Sequence, residues 1–146
     1  MPVKTEAIGK QWPATEFEVE ADRIRQYASA IGEEHQIHHD AEAAKAAGFR
    51  DLVAPPMFAV VYSAPAMGPA IIDPEIDINL PTMVHGGQDF IWGEPVCAGD
   101  TITTAATCKE IYEQDGKGFY AFESVSTNQD GAETVRAIWT NIVRGV

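Results

Sequence analysis

Residues 53–70 read VAPPMFAVVYSAPAMGPA. Pro55 and Pro56 suit the first turn of a helix, where no backbone N–H is required. Met57 to Ser63 is almost wholly apolar. A helix made of it has no polar face to turn to water, which predicts burial on all sides. Pro65 removes a helical donor and predicts a kink or an end, placing the helix near residues 57–68. Such a helix needs a sheet wrapped around it.

Downstream, GGQDFIWG, DTITTAATCKEIYE, GFYAFESVSTN and ETVRAIWTNIVR are rich in β-branched and aromatic residues. They predict four strands in an antiparallel meander. In the last, Val135, Ala137, Trp139 and Asn141 alternate with Arg136, Ile138, Thr140 and Ile142, so each set shares one face. Asp115-Gly116 and Asp130-Gly131 predict the hairpin turns. Upstream, a short strand falls near residues 16–19. Ile24, Tyr27, Ala28 and Ile31 recur at helical spacing and predict one buried helix face that Gly32 stops. Asp40 and Gly48 bracket a second, short helix as cap and terminator. Residues 70–82 read as an ordered excursion. The fold class is α+β, with residues 1–146 as a single domain.

Hydrophobic content of 45% is enough for a core and too high for a disordered chain. Twenty-two acidic against 10 basic side chains give a formal charge of −12, the wrong sign for a nucleic-acid or anionic-membrane surface. No apolar run reaches the ~20 residues of a membrane helix. The opening MPVKTEAIGK lacks an apolar signal core, and Cys97 and Cys108 make no disulfide framework. A cytoplasmic location is the expectation. Both cysteines read as bystanders, and Trp92 and Trp139 as core or dimer contacts.

Between the two early helices lies IGEEHQIHHD, residues 31–40, with three of the chain's four histidines. His35, His38 and His39 project in different directions on any regular backbone, and neither cysteine is near in sequence. Structural zinc takes four ligands at recognisable spacing, so no metal is expected. A solvated charged loop is the plain alternative. Against it stands the apolar helix just downstream, because loops that carry chemistry sit on rigid scaffolds. A carboxylate and an imidazole can hold one water and exchange its proton near pH 7. Water addition to a polarised double bond also needs an N–H donor for the developing oxyanion.

Three stretches in order carry a resemblance over nearly the whole chain: IRQYASAIGEEHQIHHDAEAAKAAGFRDLVAPPMF, VHGGQDFIWGEPVCAGDTI and STNQDGAETVRAIWTNIVR. The chain resembles the MaoC-like family of hot-dog-fold acyl-thioester dehydratases and hydratases, in particular the branch related to the dehydratase domain of fatty-acid synthases. The family's first stretch typically reads Gly-Asp-x-Asn-Pro-x-His-x-Asp, and its second ends Pro-x-x-Ala-Gly-Asp, matched by Pro95 to Asp100. The resemblance puts the catalytic aspartate on Glu33 and the catalytic histidine on His38, five residues on. Its asparagine falls on His35, its proline on Gln36 and its closing aspartate on Asp40. Ser63 matches a serine that supports the catalytic carboxylate in related hydratases. His39 is the alternative histidine, since some branch members carry Tyr-His at these two places. His85 and Gly86 match a His-Gly-x-Gln that can reach the substrate channel, although a strand-end histidine also serves structure alone.

Three departures bear on activity. Glutamate extends the carboxylate by one methylene, and a shift of about 1 Å in a catalytic group costs ~100-fold. His35 and Gln36 replace the bracing Asn-Pro. Ala54-Pro55 stands where related hydratases place His-Gly, whose glycine N–H binds the thioester oxygen. Proline has no N–H, so beyond Pro56 the first donors are Met57 and Phe58.

The resemblance thus implies a hot-dog domain, a curved antiparallel sheet around one long helix. It implies a (3R)-specific enoyl-thioester hydratase or 3-hydroxyacyl-thioester dehydratase. Coenzyme A or an acyl carrier protein would be the substrate's carrier, with no cofactor. A homodimer, or a heterodimer with a related hot-dog subunit, is expected. Two alternatives stand beside it. One is a non-catalytic partner subunit that binds the acyl chain or stabilises a catalytic one. The other is a hot-dog thioesterase, disfavoured because Met57 to Pro69 contains no acid.

Overall fold

The structure, a computed structural model, describes residues 2–146. Five strands form one antiparallel sheet in the order β1-β3-β4-β5-β2. They are β1 Thr15–Glu18, β2 Met83–Trp92, β3 Thr101–Gln114, β4 Lys117–Thr127 and β5 Glu133–Arg144. Helices α1 Ala21–Ala30 and α2 Ala41–Ala46 precede the long helix α3, Ala59–Ile71.

The expected four-strand meander is three strands long. β3, β4 and β5 run as consecutive hairpins, but β2 crosses to the far edge and pairs with β5, with Trp92 opposite Val135 and Met83 opposite Val143. Strand composition cannot report this order, which depends on which edge is free once α3 has docked. The β3–β4 turn is the two-residue Asp115-Gly116, both at positive φ as that tight hairpin requires. The β4–β5 connection is longer, residues 128–132, and Asn128 braces it by accepting from the N–H groups of Asp130 and Ala132.

On β5 the expected alternation holds. Val135, Ala137, Trp139, Asn141 and Val143 are buried and the residues between them are half-buried. On β3 the buried set Ile102, Thr104, Ala106 and Cys108 shifts to Ile111 across an irregularity between Cys108 and Glu110. An extra residue of this kind bends a strand, so the sheet can curl around α3.

Helix α3 differs from expectation in two ways. It runs through Pro65 and Pro69 to Ile71, and it is buried on one side only. Phe58, Ala59, Tyr62, Ser63, Ala66, Met67 and Ala70 face the sheet, while Ala64, Pro65, Gly68, Pro69 and Ile72 are exposed. The two facts have one cause. Pro65 and Pro69 lie four apart on the exposed face, so the carbonyls they leave unbonded, on Val61 and Pro65, lie toward water. One half of the core joins Ala66, Met67 and Ala70 to Phe122, Tyr120 and Trp139. The other joins Phe58, Ala59 and Tyr62 to Ile24, Leu52, Ile102 and Val135. Each large apolar side chain buried this way contributes about 1.5–3 kcal/mol. Ile31, expected on the buried face of α1, is exposed because the helix has already ended at Ala30.

Gly93, just past β2, is held against β5. Its N–H donates to the Thr134 carbonyl at 2.9 Å, and a Cβ there would lie 2.1 Å from the Glu133 carbonyl oxygen. The obstacle is backbone, so the strand itself must move. Gly93→Ala is expected to destabilise the protein by about 2 kcal/mol, measured by urea unfolding. An unchanged midpoint would show that the edge gives way freely.

Candidate active site

The loop between α1 and α2 is built by its own side chains. Glu33 Oε1 accepts from the His35 N–H at 3.0 Å, and His35 Nδ1 accepts from the Ile37 N–H at 3.3 Å. His35 thereby caps a single 3-10 turn, Gln36–His38. Arg25 reaches over from α1 and donates to the His39 carbonyl at 3.0 Å, and His39 Nε2–H donates to the Glu33 carbonyl at 2.6 Å. Asp40 Oδ1 accepts from the Glu42 N–H and caps α2. Glu33, His35, His39 and Asp40 therefore all hold the loop's shape.

His38 points inward and is 7% exposed. Its Nδ1 lies 2.7 Å from the Val53 carbonyl oxygen. A carbonyl can only accept, so Nδ1 carries a proton, and Nε2 is the ring nitrogen that the Val53 contact leaves unused. The same segment closes in the other direction, with the Val53 N–H donating to the Ile37 carbonyl at 2.9 Å.

His38 lines a cavity of about 350 Å³, within the range of small-molecule sites. One wall is Val53, Ala54, Pro55 and Pro56 and another is Trp92 through Val96. Ile37, Phe49, Tyr62 and Thr134 complete it. Tyr62 Oη and Thr134 Oγ1 are 3.2 Å apart, and Thr134 Oγ1–H donates to the Ser126 carbonyl at 3.3 Å. Burial pushes the Tyr62 phenol up to about 12.

Of the residues singled out by sequence, His38 and Pro56 meet on this cavity. Glu33 is half-buried in the loop and is not among the cavity's lining residues. The Phe58 N–H is taken by the Pro55 carbonyl at 2.9 Å, and Met57 is 46% exposed away from the lining. Ser63 is fully buried and its Oγ–H donates to the Ala59 carbonyl. His85 stacks on Trp139 with ring centroids 6.0 Å apart, and its Nε2–H donates to the Gly87 carbonyl. Gly86 lies over Ile142, where a Cβ would come within 2.3 Å of its side chain. Trp92, read as a core or dimer contact, is 48% exposed and is part of the cavity wall, stacked on Phe90 at 4.7 Å. Glu94, Tyr62 and Thr134 also line it and carry no sequence signal, because strand pairing places Glu94 and Thr134 and the docking of α3 places Tyr62.

The turn that follows the wall from Trp92 to Val96, at Cys97, is anchored by Asp100. Its carboxylate accepts from Arg50 at 2.6 and 3.0 Å, from the Cys97 N–H at 2.9 Å and from Gln129 at 3.0 Å. Burial pushes this carboxyl up, but Arg50, the Cys97 N–H and the Gln129 amide outweigh it and leave it below the usual carboxylate range. Arg50 thus has a structural partner within the fold.

The chain matches the family described as FAS1-like, dehydratase domain region, over residues 6–137. It belongs to that family. A UPF0336 protein of Clavibacter michiganensis is 37% identical over 99% of this chain and 98% of its own length. Among solved structures, the HadBC (3R-hydroxyacyl-ACP dehydratase) complex of Mycobacterium tuberculosis is similar with a TM-score of 0.82. It has 26% identity, covering 96% of this chain and 99% of that one. The R-hydratase PhaJ1 of Pseudomonas aeruginosa shares the fold with a TM-score of 0.74 at 18% identity, over 95% of this chain and 83% of that one. The hot-dog architecture and the MaoC-like dehydratase resemblance are thereby established for this member of the FAS1-like dehydratase-region family. Among its described residues no helix is long and apolar enough to cross a membrane.

Proposed function

We propose that this family member adds water reversibly to a trans-2-enoyl thioester, giving the (3R)-3-hydroxyacyl thioester. His38 carries this reading: a buried imidazole, fixed through Nδ1 by the Val53 carbonyl, lines an otherwise mainly apolar cavity, and Nε2 is the nitrogen we propose meets the water. Nε2 takes the proton of the attacking water as its oxygen bonds to the β-carbon, and the protonated ring can return a proton on the α-carbon side. Glu33 is the proposed carboxylate partner for the water, five residues before His38 and braced by the His35 N–H. Coenzyme A or an acyl carrier protein is the thioester's carrier. The chemistry needs only acid/base groups and a polarised carbonyl, so we propose no metal or redox cofactor.

Glu94 supplies an internal comparison, being a carboxylate on the cavity wall itself. Glu33→Gln is expected to lower kcat for crotonyl-CoA hydration about 100-fold, and Glu94→Gln less than about threefold. The reverse order would assign the carboxylate role to Glu94.

A second reading is a partner subunit. It is favoured by β2, a ten-residue edge strand with Val84, Ile91 and Trp92 exposed. Such an edge is a template for another chain, and the similar HadBC protein is a complex. A homodimer or a heterodimer with a related subunit would cover it. Assay of the purified protein alone and with a co-expressed hot-dog subunit separates the readings. Hydration by the homomer supports catalysis, and activity that appears only in the mixed complex and survives His38→Ala assigns the partner role.

A further inference from the structure

We propose that the Tyr62 phenol is the donor that polarises the thioester carbonyl in this cavity, in place of a backbone N–H. This deepens the hydratase reading and rests on it. When water oxygen bonds to the β-carbon, the C=C electron pair shifts toward the thioester oxygen, and the charge there needs a preorganised donor. Few backbone N–H groups of the lining are free to supply one. Pro55, Pro56 and Pro95 have no N–H. The N–H groups of Val53, Ala54, Gly93 and Glu94 donate to Ile37, Val96, Thr134 and Glu133 carbonyls at 2.8–3.0 Å.

Side chains remain. The lining residues with an O–H or N–H to give are His38, Tyr62, Trp92 and Thr134. His38 is assigned to the water, Trp92 stands half-exposed at one wall, and Thr134 already donates to the Ser126 carbonyl. Tyr62 is 3% exposed, and its one hydrogen-bond partner, Thr134 Oγ1, is 3.2 Å away. That is long for an O–H···O bond, whose usual distance is about 2.7–2.8 Å, so an oxyanion competes well for the phenol proton. With the Thr134 O–H on the Ser126 carbonyl, the Tyr62 O–H is the donor of this pair, and it is the hydrogen that becomes available as Tyr62 turns into the cavity. Burial keeps the phenol protonated across the working pH range. Tyr62 gives a hydrogen bond and keeps its proton; the protons that move are those of the water and of His38.

The test uses the full chain with crotonyl-CoA for turnover and trans,trans-2,4-hexadienoyl-CoA as an optical probe. Tyr62→Phe is expected to lower kcat about 100-fold with KM changed less than about threefold. It is also expected to abolish the red shift of the bound dienoyl chromophore that carbonyl polarisation produces. A structural role would move Tm and KM and leave the red shift of bound probe in place. An unchanged kcat and red shift in folded Tyr62→Phe overturns the proposal while the hydratase reading stands. Should Tyr62→Phe not fold, replacement of Tyr62 by 3-fluorotyrosine keeps the shape and strengthens the donor. A larger red shift then supports the proposal and an unchanged one overturns it. A wild type that binds the probe without hydrating crotonyl-CoA overturns the hydratase reading, and the red shift still decides the donor. A wild type that neither binds nor hydrates removes both.

Discussion

His38→Ala is expected to lower kcat/KM for enoyl-thioester hydration by about 1,000-fold, within the 10²–10⁴ range of a positioned acid/base group. The size follows from the site's economy of ionisable groups. Of the cavity's lining residues only His38 carries an imidazole and only Glu94 a carboxylate, and of the two only His38 is buried there. Its ring is held by one bond to the Val53 carbonyl, so the substitution also removes a buried partner. His38→Asn answers that objection, because its amide N–H can still reach a carbonyl while no base remains. Both variants should bind substrate with little change in KM. Turnover within about tenfold of wild type in folded His38→Asn would remove His38 from the chemistry.

Asp100→Ala is expected to destabilise the protein by about 3 kcal/mol, lowering Tm by roughly 10 °C. Asp100 is fully buried while Arg50 is half-exposed, so Arg50 recovers water when its partner is lost. The cost lies chiefly with the buried Cys97 N–H, left without an acceptor. Asp100→Asn retains an acceptor oxygen and should lose less. The pH dependence has a definite sign. The folded pKa lies below the ordinary aspartate value of 3.8, so the contribution is fully present above about pH 4 and fades as acid carries the pH through the folded value. Thermal melts of wild type and Asp100→Asn should therefore converge below pH 4 and diverge above it. Equal midpoints at pH 7 would show that the turn stands without the charge. Because this carboxylate holds the Cys97 N–H, next to the cavity-lining Val96, Asp100→Ala should also loosen the cavity wall and raise KM.

Much of the fold was legible because it is locally encoded. The run from Pro55 to Ser63 announces a helix, Asp40 and Gly48 bracket α2, and Asp115-Gly116 specifies a two-residue turn. The inward set of β5 follows from strict alternation. The errors share a cause. Pro65 sits on the exposed face of α3, where its freed carbonyl lies toward water, and exposure is a property of the packed chain. Ile31 matched the helical period one residue after the helix had stopped. β2 looked like any other strand, and nothing within ten residues says which neighbour it takes.

The candidate site divides the same way. Sequence alone determined that a carboxylate and a histidine sit five apart beside an apolar helix, and that two prolines strip donors from its start. Only tertiary structure decided that His38 uses Nδ1 for Val53, and that Trp92 and Glu94 share its cavity. Tyr62 and Thr134, 72 residues apart, meet because β5 runs beside both β2 and β4 beneath α3. Periodicity and turn chemistry act over a few residues and are written in the chain. Which side chains share a cavity depends on strand order and helix phase, which are fixed only when the whole sheet closes around α3.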